Sequence, residues 1–235
     1  VVITVMGTLV SQTLLRQNQV VSFEAPMQEF IETLSRELDY NAYALRSLAQ
    51  LFRSSQSVEA HEFASYTNLV MSQFGNIVAM TYLAEPDSQT EQGLTQTYWQ
   101  GATSVAGLNS YDLLVKADVN KLYQRLPNTR VAVASPIFTL RHNDHYYTFV
   151  LQRVAEQQGF VGILVDVGFT LEQTLNNQLN NGYSLFERES GLPNLVFSRH
   201  NKVSSGPEDI TSGDFVATLN FFNRQWLVST YPNNL

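Results

Sequence analysis

Between Met27 and Phe52 the apolar residues Met27, Ile31, Leu34, Leu38, Ala42, Leu45, Ala49 and Phe52 recur at three- and four-residue intervals. This is the repeat of one helical face. A helix of about seven turns with an unbroken apolar face must be covered along its length, so the rest of the chain has to supply a layer that packs on it. Pro26 suits the first turn, where its missing N–H is not needed. The segment from Ser11 to Ala25 either extends the helix backwards or kinks there. The apolar run Val1-Val-Ile-Thr-Val-Met-Gly-Thr-Leu-Val10 is shorter than the roughly 20 residues that cross a bilayer. It passes straight into the helical pattern, as the outer end of a membrane span does. It lacks the basic residue before it and the Ala-x-Ala site after it that mark a secretory leader. The chain therefore reads as a domain from between two membrane helices.

A second helix is expected next, capped by Ser57, with Glu59 and Glu62 at its positive end, the stripe Phe63, Tyr66, Val70 and Phe74, and a stop at Gly75. Beyond Gly75 come short β-branched and aromatic runs that read as strands: Ile77 to Leu83, Val131 to Leu140, Tyr146 to Val154 and Phe160 to Val167. Ala84 to Gln96, with Pro86 and Gly93, reads as a surface loop, and Ala117 to Leu126 as a short helix over one face of the sheet. Asn143-Asp144 and Gln157-Gln158-Gly159 are turns, and Thr170 to Asn180 is a helix leaving the last strand. Tyr183 to Glu187, Leu195 to Arg199, Phe215 to Phe222 and Gln225 to Tyr231 form a smaller antiparallel sheet, the last two pairing across Asn223-Arg224. The fold class is α+β, a long N-terminal helix followed by two antiparallel-sheet subdomains.

None of the 235 residues is cysteine, which excludes a disulfide scaffold, cysteine-based zinc sites and thiol catalysis. The net charge of -7 and the scatter of the basic residues argue against nucleic-acid binding. Nucleophile elbows, His-Glu-x-x-His helices and phosphate-binding glycine loops do not occur, and the acidic residues suggest no obvious glycosidase-like pair. His142, Asp144 and His145 are the one group with metal-ligand chemistry, but they fall on a hairpin turn, so neither metal nor cofactor is expected.

Four segments, in this order, resemble the CHASE domains, extracytoplasmic sensory modules of histidine kinases and cyclic-dinucleotide enzymes. They are Leu51-Phe52-Arg53-Ser54-Ser55 with Val58-Glu59-Ala60-His61-Glu62-Phe63-Ala64-Ser65-Tyr66; Leu108-Asn-Ser-Tyr-Asp-Leu113; Val131-Ala-Val-Ala-Ser-Pro136; and Gly159-Phe-Val-Gly162 with Asp166. The resemblance spans Leu45 to Leu179. It departs from the family pattern at Gln152-Arg153-Val154, at Ser110-Tyr111 before Asp112, and at Ala79-Met-Thr-Tyr-Leu83. Tandem Cache-type sensors have nearly the same element order. The resemblance implies PAS-like subdomains: 1–56 the end of a transmembrane helix and a signalling helix, 57–167 a membrane-distal ligand-sensing subdomain, and 168–235 a smaller membrane-proximal one.

Asp112 falls where the carboxylate of plant cytokinin receptors accepts hydrogen bonds from ligand, a role suited to a partly desolvated carboxylate; the same residue also reads as a cap ahead of Leu113. Tyr82, Val133, Ser135, Tyr147 and Phe149 lie on the distal strands, where alternate side chains face a single cavity or simply fill the core. Tyr98 and Trp99 close the pocket from a loop, or pack that loop onto the sheet. The expected function is that of a non-catalytic periplasmic sensor of a bacterial inner-membrane receptor, a histidine kinase or a cyclic-di-GMP cyclase or phosphodiesterase. It binds a small molecule and acts as a homodimer through the stripe Leu38, Leu45 and Phe52. The competing expectations are a docking module for a periplasmic binding protein and, below it, a hydrolase with a dispersed site.

Overall fold

The computed structural model of the chain describes residues 2–85, 95–102, 115, 117–126, 131–140, 145–154, 159–176, 182–189, 192–199 and 215–231, and only the backbone of residues 2–24. Helix α1 (Val2–Ser54) is continuous for 53 residues and runs through Pro26, which is therefore interior and not in a first turn. An interior proline withholds an N–H from the carbonyl four residues back, at a cost of about 3 kcal/mol. Met27, Phe30 and Leu34, 0–2% exposed, offset that cost, each worth about 1.5–3 kcal/mol when fully buried. The buried stripe continues through Leu38, Asn41, Leu45, Leu48, Ala49 and Phe52. Leu38, Leu45 and Phe52 thus face the chain's own core, and among the described residues of α1 the exposed large hydrophobics are Tyr40 and Tyr43. Among the described residues no helix is long and apolar enough to cross a membrane.

The chain divides into two compact units that share α1. The larger comprises Arg36–Glu172 and Asn220–Gln225. Its helix α2 (Ala60–Gln73) is capped by Glu59, not Ser57. The Glu59 N–H donates to the Glu62 carboxylate at 3.0 Å, a reciprocal arrangement that Ser57 is too far upstream to make. Phe63, Thr67 and Val70 are buried, and the Tyr66 hydroxyl donates to Ser47 Oγ on α1 at 2.5 Å.

Six antiparallel strands follow: β1 (Ile77–Ala84), β2 (Thr95–Gly101), β3 (Val133–Ala134), β4 (Phe138–Thr139), β5 (Tyr146–Arg153) and β6 (Phe160–Asp166). The order is β2-β1-β6-β5-β3, with β4 also on β5. All seven residues of β6 are buried, as an apolar run between two covered faces must be. One face meets α1 and α2. The other carries a core of Leu83, Tyr147, Phe149, Leu151, Phe160 and Leu164 closed by helix α3 (Val119–Arg125) through Val119 and Leu122.

Two segments differ from the sequence expectation. Thr95–Gly101 is an edge strand where a loop was expected to run to Gln96; its polar composition is tolerated because only one flank is paired. The expected strand Val131 to Leu140 is split into β3 and β4 around Ser135-Pro136, since proline has no N–H for the ladder. Ser135 keeps the edge closed: its N–H donates to Phe149 O at 2.8 Å, and its hydroxyl oxygen accepts from Phe149 N–H at 3.0 Å. The free side of β3 is closed as well. Asn223 Oδ1 accepts from Ala134 N–H at 2.6 Å and Arg224 Nε donates to Ala134 O at 3.1 Å.

Helix α4 (Val167–Asn176) begins where β6 ends. The smaller unit holds the N-terminal part of α1 and the strands β7 (Gly182–Glu189), β8 (Leu192–Arg199), β9 (Phe215–Phe221) and β10 (Arg224–Tyr231), ordered β8-β7-β10-β9, except for the hairpin tip Asn220–Gln225 already assigned to the larger unit. Its core contains Tyr183, Leu185, Phe186, Trp226 and Val228. Thr230 Oγ1 donates to Met27 Sδ at 3.0 Å, and Trp226 Nε1 to Glu187 Oε1 at 3.3 Å. The β9–β10 hairpin turns on Phe222-Asn223, one residue earlier than expected, with Phe222 at φ 52°.

Glycine is required at one point in the sheet: a Cβ on Gly162 would stand 2.3 Å from Phe149 Cζ. Gly162→Ala should destabilise the chain by about 1–3 kcal/mol, as overpacking does. Adding Phe149→Leu should return part of that loss, a non-additivity readable by urea unfolding of the two single variants and the double.

Candidate functional site

A strand sends successive side chains to opposite faces, and the registers of this sheet sort the expected site residues accordingly. Tyr82 is paired with Tyr98 and with Val161, and Tyr82 stacks on Phe52 of α1 at 4.1 Å between centroids. Tyr98 stacks on Phe63 of α2 at 5.3 Å. Both tyrosines therefore lie on the helix-covered face. Trp99, Val133, Tyr147 and Phe149 belong to the opposite, α3-covered face. The seven expected residues outside Asp112 thus do not converge on one cavity, and Tyr98 and Trp99 lie on a strand, not a loop. Asp112 itself lies outside the described residues, as do Gly107, His142 and Asp144.

The α3-covered face is packed along its middle, where Tyr147, Phe149 and Phe160 are 0–2% exposed. Its polar chemistry gathers at the end of β6. Tyr147 is paired with Asp166, so the turn into β5 delivers His145 to the end of β6. His145 Nδ1 lies 2.6 Å from Asp166 Oδ2, with side-chain exposures of 49% and 5%. The other carboxylate oxygen accepts the Phe169 N–H at 2.8 Å and caps α4. Thr170 Oγ1 donates to Asp166 O at 2.9 Å and accepts from Asn76 Nδ2 at 3.1 Å. A carboxylate offers about four acceptor positions, and these contacts occupy two. What remains is a nearly buried anionic acceptor beside one half-exposed imidazole, able to take an ammonium or another strong donor.

In the sequence Asp166 belongs to the glycine-strand motif and His145 to a hairpin turn, with nothing joining the two. The signal was available. His145 opens a strand and Asp166 ends its antiparallel neighbour, so a hairpin joining the two runs brings those ends together.

On the helix-covered face Phe52, Phe63, Tyr82 and Tyr98 form a ring cluster. Burial raises the Tyr82 phenol above its ordinary range, with smaller contributions from Tyr98 and Glu85. Glu85 is itself ion-paired with Arg153, whose guanidinium lies over the Phe160 ring.

No protein-family model and no curated protein matches the chain. Solved structures do. The sensory domain of the Campylobacter jejuni chemoreceptor Tlp3 superposes with a TM-score of 0.57 at 11% identity, over 94% of this chain and 96% of that one. A structure of the same domain carries isoleucine. The ligand-binding domain of the Pseudomonas aeruginosa amino-acid chemoreceptor PctC, in complex with GABA, gives 0.54 at 16% identity over 86% and 95% of the two chains. A protein described as methyl-accepting chemotaxis protein X gives 0.56 at 12% identity, over 92% and 98%. The chain has the α+β fold of chemoreceptor sensory domains.

Because Asp166 both caps α4 and holds His145, its two roles separate by substitution. Asp166→Ala should lower stability by about 0.5–2 kcal/mol through the lost cap, whereas Asp166→Asn, a capable cap, should lie within a few tenths of the parent in thermal unfolding.

Proposed function

We propose that this chain is the non-catalytic, periplasmic sensory domain of a bacterial membrane receptor, and that it recognises a small ligand carrying a cationic amino group at the Asp166 end of the α3-covered face. The observation that carries this reading is the nearly buried Asp166 carboxylate with acceptor capacity left beside His145. A carboxylate shielded from water in this way favours a charged donor. The fold supports it: isoleucine and GABA, bound by the Campylobacter and Pseudomonas domains, both carry an amino group. Asp112 is a second acceptor in this reading, as its place in the CHASE-like motif order suggests. The signal leaves along α1, shared by both units. A homodimer formed along α1 uses the exposed Tyr40 and Tyr43, since Leu38, Leu45 and Phe52 are buried. A kinase, a cyclic-dinucleotide enzyme and a chemotaxis output are all compatible with one sensor fold.

One observation favours the second reading, a docking module for a periplasmic binding protein: the middle of the expected ligand face is filled by Tyr147, Phe149 and Phe160. Calorimetry against the amino acids and GABA separates the two. The ligand reading expects at least one saturable binder whose affinity falls by about 1.5–3 kcal/mol in Asp166→Asn, the worth of a hydrogen bond to a charged group. No binder in the panel, or equal affinity in Asp166→Asn, overturns the assignment to Asp166.

A further inference from the structure

The helix-covered face contains a cavity of about 260 Å³ at the end of α1, remote from Asp166 along the sheet. Phe52, Tyr82 and Tyr98 supply its aromatic wall, and Ser55, Ser57 and Thr97 its hydroxyl groups. Two features mark this as a built hollow and not a packing fault. The first is the backbone. Tyr82 is paired with Tyr98 but Leu83 with Gln96, so Thr97 is the extra residue of a β-bulge. In a regular strand Thr97 and Tyr98 would point to opposite faces; the bulge re-aims one of them, and both line the cavity. The second is the linker between α1 and α2, which is tied in place. The Tyr98 hydroxyl donates to Val58 O at 2.7 Å, and the Val58 side chain is buried. The wall is rigid for the same reason: Phe52 and Tyr82 stack at 4.1 Å with planes 12° apart, and Tyr98 lies 6.1 Å from Tyr82.

Among the described residues no charged side chain lines this cavity, in contrast to the Asp166 end of the sheet. A charged ligand entering it would lose hydration without an ionic partner, which is costly. Aromatic faces and hydroxyl groups favour a flat ring that stacks and exchanges hydrogen bonds. We infer that this cavity is a second ligand site, for an uncharged one- or two-ring heteroaromatic of nucleobase or indole size, seated between the last turn of α1 and the β2 bulge. Its occupancy bears directly on Phe52 and so on the end of the long helix. The inference does not depend on Asp166 or on an amino-group ligand.

Adenine and indole are the neutral probes, and L-tryptophan, an indole carrying a zwitterion, is the charged comparator. Amide chemical shifts of the intact 235-residue chain are followed during titration. Saturable shifts at Ser55–Val58 with a neutral probe are expected, with L-tryptophan weaker by about tenfold, roughly 1.4 kcal/mol. Thr97→Trp fills the hollow from an exposed edge position and should weaken the neutral probe at least as much; Ser57→Trp does the same from the linker should the strand variant unfold. Asp166→Asn should leave this binding unchanged, so failure here and failure of the amino-group site are told apart. Absence of saturable shifts with both neutral probes, equal affinity for L-tryptophan, or binding that survives both tryptophan substitutions overturns the inference.

Discussion

The larger unit depends on the burial of β6 from both sides. Its seven residues lie between the α1–α2 layer and the α3-covered core, and every one is shielded from water. A strand in that position can hold polar side chains only at its ends, because a polar group in the middle has no partner and no solvent. Gly162 shows how tight the middle is: the Phe149 ring occupies the space that any side chain there would need. Packing of this kind transmits displacement instead of absorbing it.

Polar groups and open space are therefore displaced to the two ends of one strand. At the Asp166 end an anionic acceptor, an imidazole and a helix N-terminus meet. At the Phe160 end β2 carries the bulge that opens the aromatic cavity beside β1. Seven residues separate these ends by about 20 Å, so the two ligand sites proposed above would not compete for one pocket. Helix α1 reaches the second of them through Phe52.

The 53-residue helix contains the one clear conflict between local preference and tertiary demand. Pro26 argues for a helix start, yet the helix passes through it. Burial of Met27, Phe30 and Leu34 immediately afterwards is the larger effect, and the helix continues across the proline. Asn41 is a lesser conflict on the same stripe: it is fully buried, its Nδ2 donates to Glu37 O, and its Oδ1 has no hydrogen-bond partner.

Local pattern alone determined the helical stripe from Met27 to Phe52, the run from Phe160 to Val167 as a strand, the short helix over one face of the sheet, and the existence of two antiparallel sheets. Each rests on a local repeat that every residue in the segment shares. Three things were decided only in the tertiary structure. The β2 edge strand has too few apolar residues to announce itself and exists because β1 offers it a partner. The division of Tyr82 and Tyr98 from Tyr147 and Phe149 depends on inter-strand register, which one strand read by itself does not contain. The hollow at the bulge arises from how the β1–β2 edge and the end of α1 are brought together, a non-local property that no window of sequence encodes.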